Sequence, residues 1–168
     1  GVGRAIASSG IPRDEIFVTT KLWNDDHGRD AALRAIDGSL ERLGLDHVDL
    51  YLIHWPTPAR GKYVETWEAF QEIRDSGRAR SVGVSNFPQQ QLQEIIDATG
   101  SVPVVNQIEL HPYFNQEPLR KFHASRGIRT EAWSPLGQGG ELLQDPVIGG
   151  IARRLGATPG QVVIAWHL

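Results

Sequence analysis

Five apolar, β-branched segments recur along the chain with helical patterns between them. They are 16–21 (IFVTTK), 48–55 (VDLYLIHW), 80–86 (RSVGVSN), 104–110 (VVNQIEL) and 129–135 (RTEAWSP). Their starts are separated by 32, 32, 24 and 25 residues. Each interval fits one strand–helix–strand crossover, and strict alternation predicts a parallel sheet covered by helices. Helices are expected over 29–43, where Leu33, Ile36, Leu40 and Leu43 share a face and Gly44 supplies the stop, and over 63–75, 89–98 and 117–126. A further pair is expected over 145–155 and 159–168. A doubly wound sheet and a (β/α)₈ barrel both fit this period.

The polar residues favour the barrel. Lys21, His54, Ser85, Asn86, Gln107 and Ser134 all stand at or near the C-terminal ends of their strands. Barrel enzymes assemble a site from several strands on that rim, whereas an open sheet concentrates it at one switch point. The expectation is a (β/α)₈ TIM barrel, incomplete here. Residues 1–168 form a single partial domain with about five of eight strands, the third to the seventh. The segment 1–10 reads as the last turns of a helix and 161–168 as an apolar helix with no stop signal, so both ends read as cut.

Composition removes several function classes. Net charge is −3, from 17 Lys+Arg against 20 Asp+Glu, which disfavours nucleic-acid binding through bulk charge. There is no Cys, so a thiolate metal site or cysteine nucleophile is excluded. No apolar run is long enough to cross a bilayer, and a soluble, cytoplasmic protein is expected. Neither H-E-x-x-H, G-x-S-x-G nor a P-loop is present, and no metal site is expected.

Each polar rim residue admits a structural and a functional reading. Lys21 either snorkels to the rim or tunes a neighbour's pKa. In β parity, His54 shares a face with Leu50 and Leu52, opposite Tyr51, Ile53 and Trp55. It is either a satisfied structural histidine or a donor to a substrate carbonyl. Asp49 falls on the opposite face and is assigned a structural role. Ser85, Asn86 and Gln107 either satisfy backbone or read a ligand amide. Trp133 is core or a platform for a flat ring. The glycines after it suggest a phosphate loop but lack the G-x-G-x-x-G spacing. Asp25, Asp26 and His27 read as a solvated loop. Glu109 and Glu131 are candidate carboxylates, but nothing marks them as an acid/base pair.

The ordered set FVTTKLWN, VDLYLIHWP, VGVSNF, VNQIELHP and AWSPLG resembles the aldo-keto reductase superfamily, in detail its prokaryotic diketogluconate-reductase-like branch. The resemblance covers essentially the whole chain. It implies NADPH/NADP+ at the C-terminal rim and reduction of aldehydes or ketones, keto sugars included, to alcohols by hydride transfer. It implies that Lys21 and His54 are catalytic. Ser85, Asn86 and Gln107 would hold the nicotinamide carboxamide, and Trp133 would stack on the ring. Ser134, Leu136, Gly137 and Gln138 would belong to the pyrophosphate segment, and Trp23 and Trp55 would wall the pocket for a small carbonyl substrate.

The family's catalytic Asp and Tyr, and its 2′-phosphate segment, would lie outside this chain; Tyr51, Tyr63 and Tyr113 do not match the proton donor. A monomer is implied for the complete protein. Two other readings stand beside it: a non-catalytic nucleotide-binding or regulatory relative, and an inactive fragment with open sheet edges.

Overall fold

The computed structural model describes all 168 residues. Five strands, β1 (Thr19–Leu22), β2 (Val48–Ile53), β3 (Ala79–Ser85), β4 (Val105–Glu109) and β5 (Arg129–Trp133), form one parallel sheet. Their spatial order is their chain order. The helices are α1 (Val2–Ser8), α2 (Arg29–Leu43), α3 (Tyr63–Asp75), α4 (Gln89–Thr99), α5 (Glu117–Arg126), α6 (Pro146–Leu155) and α7 (Pro159–Trp166).

The strand order decides the architecture. A doubly wound sheet reverses direction once, which places helices on both faces. Here the order never reverses, so right-handed crossovers lay successive helices on the same face. The 20-residue core shows that face directly. Tyr51, Ile53, Val82 and Val84 of the strands pack against Ile36, Trp67, Phe70, Leu92 and Ile95 of α2, α3 and α4. The other face carries only a small apolar cluster, Leu50, Leu52 and Val105. This is the arrangement of consecutive units of a (β/α)₈ barrel, with one face toward the helices and one toward the barrel interior.

Several boundaries differ from the sequence expectation. The first strand begins at Thr19 rather than 16, because the Val18 N–H donates to the Asp49 carboxylate at 2.8 Å instead of joining the ladder. Asp49 also pairs with Arg13 and Arg80, each at 2.9 Å. Burial alone would raise this carboxyl's pKa, but the Val18 N–H and the two guanidiniums outweigh it and hold it below the ordinary value.

The third strand stops at Ser85 because Asn86 turns left-handed, with φ of 61°. The fifth stops at Trp133 because Ser134 does the same, with φ of 49°. Asp145 lies outside α6 as its cap, accepting from the N–H groups of Val147 and Ile148. Short 3-10 turns over Gly137–Gly139 and Glu141–Gln144 separate β5 from α6.

On the helix side, Asn106 is fully buried and clamps the backbone of Phe87. Its Nδ2 donates to the Phe87 carbonyl at 2.8 Å and its Oδ1 accepts from the Phe87 N–H at 3.4 Å. The same Nδ2 lies 3.0 Å from Nε2 of His123, whose Nδ1 is 2.8 Å from Thr130 Oγ1. That pattern requires Nε2 to accept and Nδ1 to donate, the neutral tautomer. Burial holds the His123 pKa down to about 4. This network fixes Phe87, and with it the neighbouring Asn86 on the rim.

No helix is long and apolar enough to cross a membrane.

Candidate active site

The register places the rim residues in rows. Ser85 pairs with Gln107, and Gln107 with Glu131. His54 stands one step beyond the Ile53–Val84 pair, beside Ser85 in the same row. Registered neighbours in a parallel sheet project to one face, so these side chains point away from the helices. In the row below, Lys21 pairs with Leu52, and Leu52 with Gly83. Leu52 and Val105 form the apolar floor. A Cβ on Gly83 would stand 2.7 Å from the Val105 carbonyl oxygen and 2.9 Å from Leu52 Cδ2, so glycine makes room for that floor.

Above it, Lys21, His54, Trp55, Ser85, Asn86, Gln107 and Trp133 line one cleft of about 280 Å³. Six of these seven were the sequence-derived catalytic and cofactor candidates, and Trp55 was a wall candidate. Trp23 lines a separate hollow with Lys21, but its ring lies 5.1 Å from that of His54, with Trp55 at 6.4 Å on the same imidazole. Burial lowers the His54 pKa, and the Lys21 charge lowers it further. The imidazole is therefore neutral at pH 7, and in that form it can donate one hydrogen bond and accept another.

The uncharged groups are already wired to one another. Asn86 Nδ2 donates to the His54 carbonyl oxygen and to Ser85 Oγ, both at 3.0 Å. Ser85 Oγ donates to the Gln107 carbonyl at 2.8 Å. Trp133 Nε1 donates to Asn86 Oδ1 at 2.7 Å. Gln107 Nε2 donates to Glu131 Oε1 at 2.6 Å.

Four further candidates, besides Trp23, do not line the cleft. Ser134 accepts from the Gly137 N–H in the turn that leaves β5. Leu136 packs on the cluster of Leu142, Ile148 and Val163. Gly137 and Gln138 line a neighbouring hollow of about 210 Å³ with Glu109 and His111.

The expectation that His27 is solvated is corrected: it is 4% exposed, between the β1–α2 and β2–α3 loops, with Nδ1 3.5 Å from Thr57 Oγ1. Asp25 beside it stays exposed and pairs with Arg60. Sequence reading also passed over Asn106 and His123. The signal for Asn106 was an unbroken N-Q pair inside a strand, which places one amide on each face.

None of the three tyrosines reaches the cleft. Tyr51 is buried on the helix side, stacked on Phe70, and burial raises its pKa. Tyr63 donates to Glu94, and that bond pushes its pKa up to about 12. Tyr113 donates to Asp145 at 2.7 Å. No group of three or more His, Asp or Glu is placed to hold a metal ion.

The whole chain, residues 1–168, matches the aldo/keto reductase family. It is 61% identical over 166 residues to an aldo-keto reductase of Mycolicibacterium smegmatis, covering 99% of this chain and 60% of that protein. It is 50% identical over 167 residues to 2,5-diketo-D-gluconic acid reductase B of a Corynebacterium species, covering 99% of this chain and 60% of that one. A solved structure of a Gox0644 variant in complex with NADPH superposes with a TM-score of 0.92 at 55% identity, over 99% of this chain and 59% of that chain. The chain thus spans about 60% of the length of the relatives it matches.

Proposed function

The chain belongs to the aldo/keto reductase family, and we propose that it forms the central part of an NADPH-dependent oxidoreductase that reduces small aldehydes or ketones, keto sugars among them, to alcohols. Residues 1–168 make up one partial barrel domain of that enzyme. One observation carries this reading: Lys21, His54, Ser85, Asn86, Gln107 and Trp133, from all five strands or the turns after them, meet in a single cleft. The relatives' names, a diketogluconic acid reductase among them, and the NADPH bound to Gox0644 support the substrate class and the cofactor.

The residues present suit a nicotinamide. Ser85, Asn86 and Gln107 supply uncharged donors and acceptors, and the indole of Trp133 at the mouth offers a face for a flat ring. The turn from Ser134 through Leu136, Gly137 and Gln138 follows directly and is assigned to the pyrophosphate. When bound, the cofactor supplies the hydride. The neutral His54 donates to the substrate carbonyl oxygen and orients the carbonyl. Lys21 places a positive charge where negative charge develops on that oxygen. Trp23 and Trp55 flank His54 and exclude water from the carbonyl.

The tyrosines of this chain are all engaged elsewhere, so the proton donor comes from outside these 168 residues, as does the aspartate of the family's tetrad. Lys21 then acts on that donor as well, favouring its ionised form. The enzyme acts as a monomer and does not bind nucleic acid. The enzyme is assigned to the cytoplasm.

The test is NADPH oxidation with a small aldehyde by the full-length enzyme, comparing wild type with His54→Gln and Lys21→Met. Each replacement lowers kcat by about 10²- to 10³-fold. Turnover close to wild type in both variants overturns the assignment. Tight NADPH binding with no turnover in wild type favours the non-catalytic relative instead.

A further inference from the structure

Gln107 and Glu131 are directly paired in the β4–β5 register, and Gln107 Nε2 donates to Glu131 Oε1 at 2.6 Å. We propose that Glu131 is a positioning residue: it fixes the polarity of the Gln107 amide, so that the cleft presents an acceptor to the N–H₂ of the nicotinamide carboxamide. This inference rests on the nicotinamide reading above and adds to it the group that is recognised and the residue that sets the recognition.

The argument is one of satisfiable bonds. A primary amide has an oxygen end and a nitrogen end of nearly the same shape, and a neutral partner tolerates either orientation. An ionised carboxylate has no proton to give, so it accepts only. Glu131 therefore draws the Gln107 nitrogen toward itself and leaves Oε1 free of any partner in the chain. The charge on the acceptor strengthens this preference.

The neighbouring groups cannot take over that task. Asn86 Oδ1 is taken by the Trp133 indole, and Asn86 Nδ2 by His54 and Ser85. The Ser85 hydroxyl proton is spent on the Gln107 carbonyl. Of the three residues assigned to the carboxamide, Gln107 alone offers an uncommitted side-chain amide oxygen. The group that it selects is a donor: an amide nitrogen fits, whereas a methyl ketone in the same place leaves Gln107 Oε1 unpaired.

The test compares two nucleotides that differ only at that group, NADP+ and its 3-acetylpyridine analogue, in which methyl replaces N–H₂. Dissociation constants are read from tryptophan fluorescence, without turnover. Wild type binds NADP+ about 10-fold more tightly than the analogue, the worth of one hydrogen bond. Glu131→Gln brings the ratio close to one, chiefly by weakening NADP+. Glu131→Asp keeps an accepting carboxylate and restores most of the preference.

Because both nucleotides are measured on one variant, a general loss of affinity cancels in the ratio. A wild-type preference that Glu131→Gln leaves intact overturns the role of Glu131 while leaving the cofactor assignment standing. Absence of any preference in wild type overturns the acceptor polarity. Failure of wild type to bind either nucleotide overturns the cofactor assignment itself, and this inference with it.

Discussion

The indole N–H of Trp133 donates to the side-chain oxygen of Asn86 at 2.7 Å, joining the end of β5 to the end of β3 across the intervening β4. The bond crosses the mouth of the cleft. It sets the tilt of the aromatic face offered to a ligand, and it depends on Asn86 holding a left-handed backbone with φ of 61°. Asn86 therefore has two separable functions, one in its backbone and one in its amide.

Asn86→Ala loses both, whereas Asn86→Gly loses only the amide, because glycine adopts positive φ without a Cβ penalty. The alanine variant is less stable than the glycine variant by about 1 kcal/mol, measured by urea unfolding. Equal stabilities would show that the turn does not depend on backbone conformation at this position.

Lys21→Met removes one of the two causes that depress the His54 pKa and leaves the larger one, burial. The His54 titration, followed by NMR of the imidazole, moves upward toward the ordinary value of about 6.5 and stays below it. A shift downward, or none, contradicts the proximity of the two charges.

His123 sets a pH dependence of stability. Its folded pKa is about 4, against an ordinary value of about 6.5. Above that ordinary value both states are neutral and the group contributes nothing. As pH falls below it, the unfolded chain takes up a proton that the folded chain refuses, so stability is lost down to about pH 4, by up to ~3 kcal/mol. The lowered values of His54 and His27 act with the same sign. His123→Gln is less stable at neutral pH but shows a shallower decline on acidification. An unchanged slope would mean that His123 is not held neutral by the fold.

Gly83→Ala destabilises the protein by about 1–3 kcal/mol, since its Cβ meets both a backbone oxygen and side chains. Shortening one neighbour in Gly83→Ala/Val105→Ala relieves the clash with Val105 Cγ1 but not those with Leu52 Cδ2 and the carbonyl oxygen, so recovery is partial. Full recovery in the double variant would show that the strands separate more easily than the 2.7 Å approach implies.

The fold was legible because period and parity are local. Alternation in VDLYLIH correctly divides Leu50, Leu52 and His54 from Tyr51 and Ile53, and the gathering of polar strand ends points to a rim before any contact is known. What stayed hidden depends on distant partners. The Val18 N–H is drawn out of the ladder by the Asp49 carboxylate, 31 residues away. His27 is buried because a second loop folds over it, and nothing in NDDH announces that. The packing of the Leu136 side chain was hidden as well, because the apolar cluster it joins is completed only by α6 and α7. The Gln107 partner of Glu131 is set by strand register, which no single segment encodes.

Calorimetric titration of NADPH into wild type and into Gln107→Ala tests the central claim most directly, that the cleft holds a nicotinamide through Gln107. The account predicts saturable one-to-one binding in wild type and affinity weakened about 10-fold in the variant. No binding in wild type, or equal affinity in the two proteins, would contradict it.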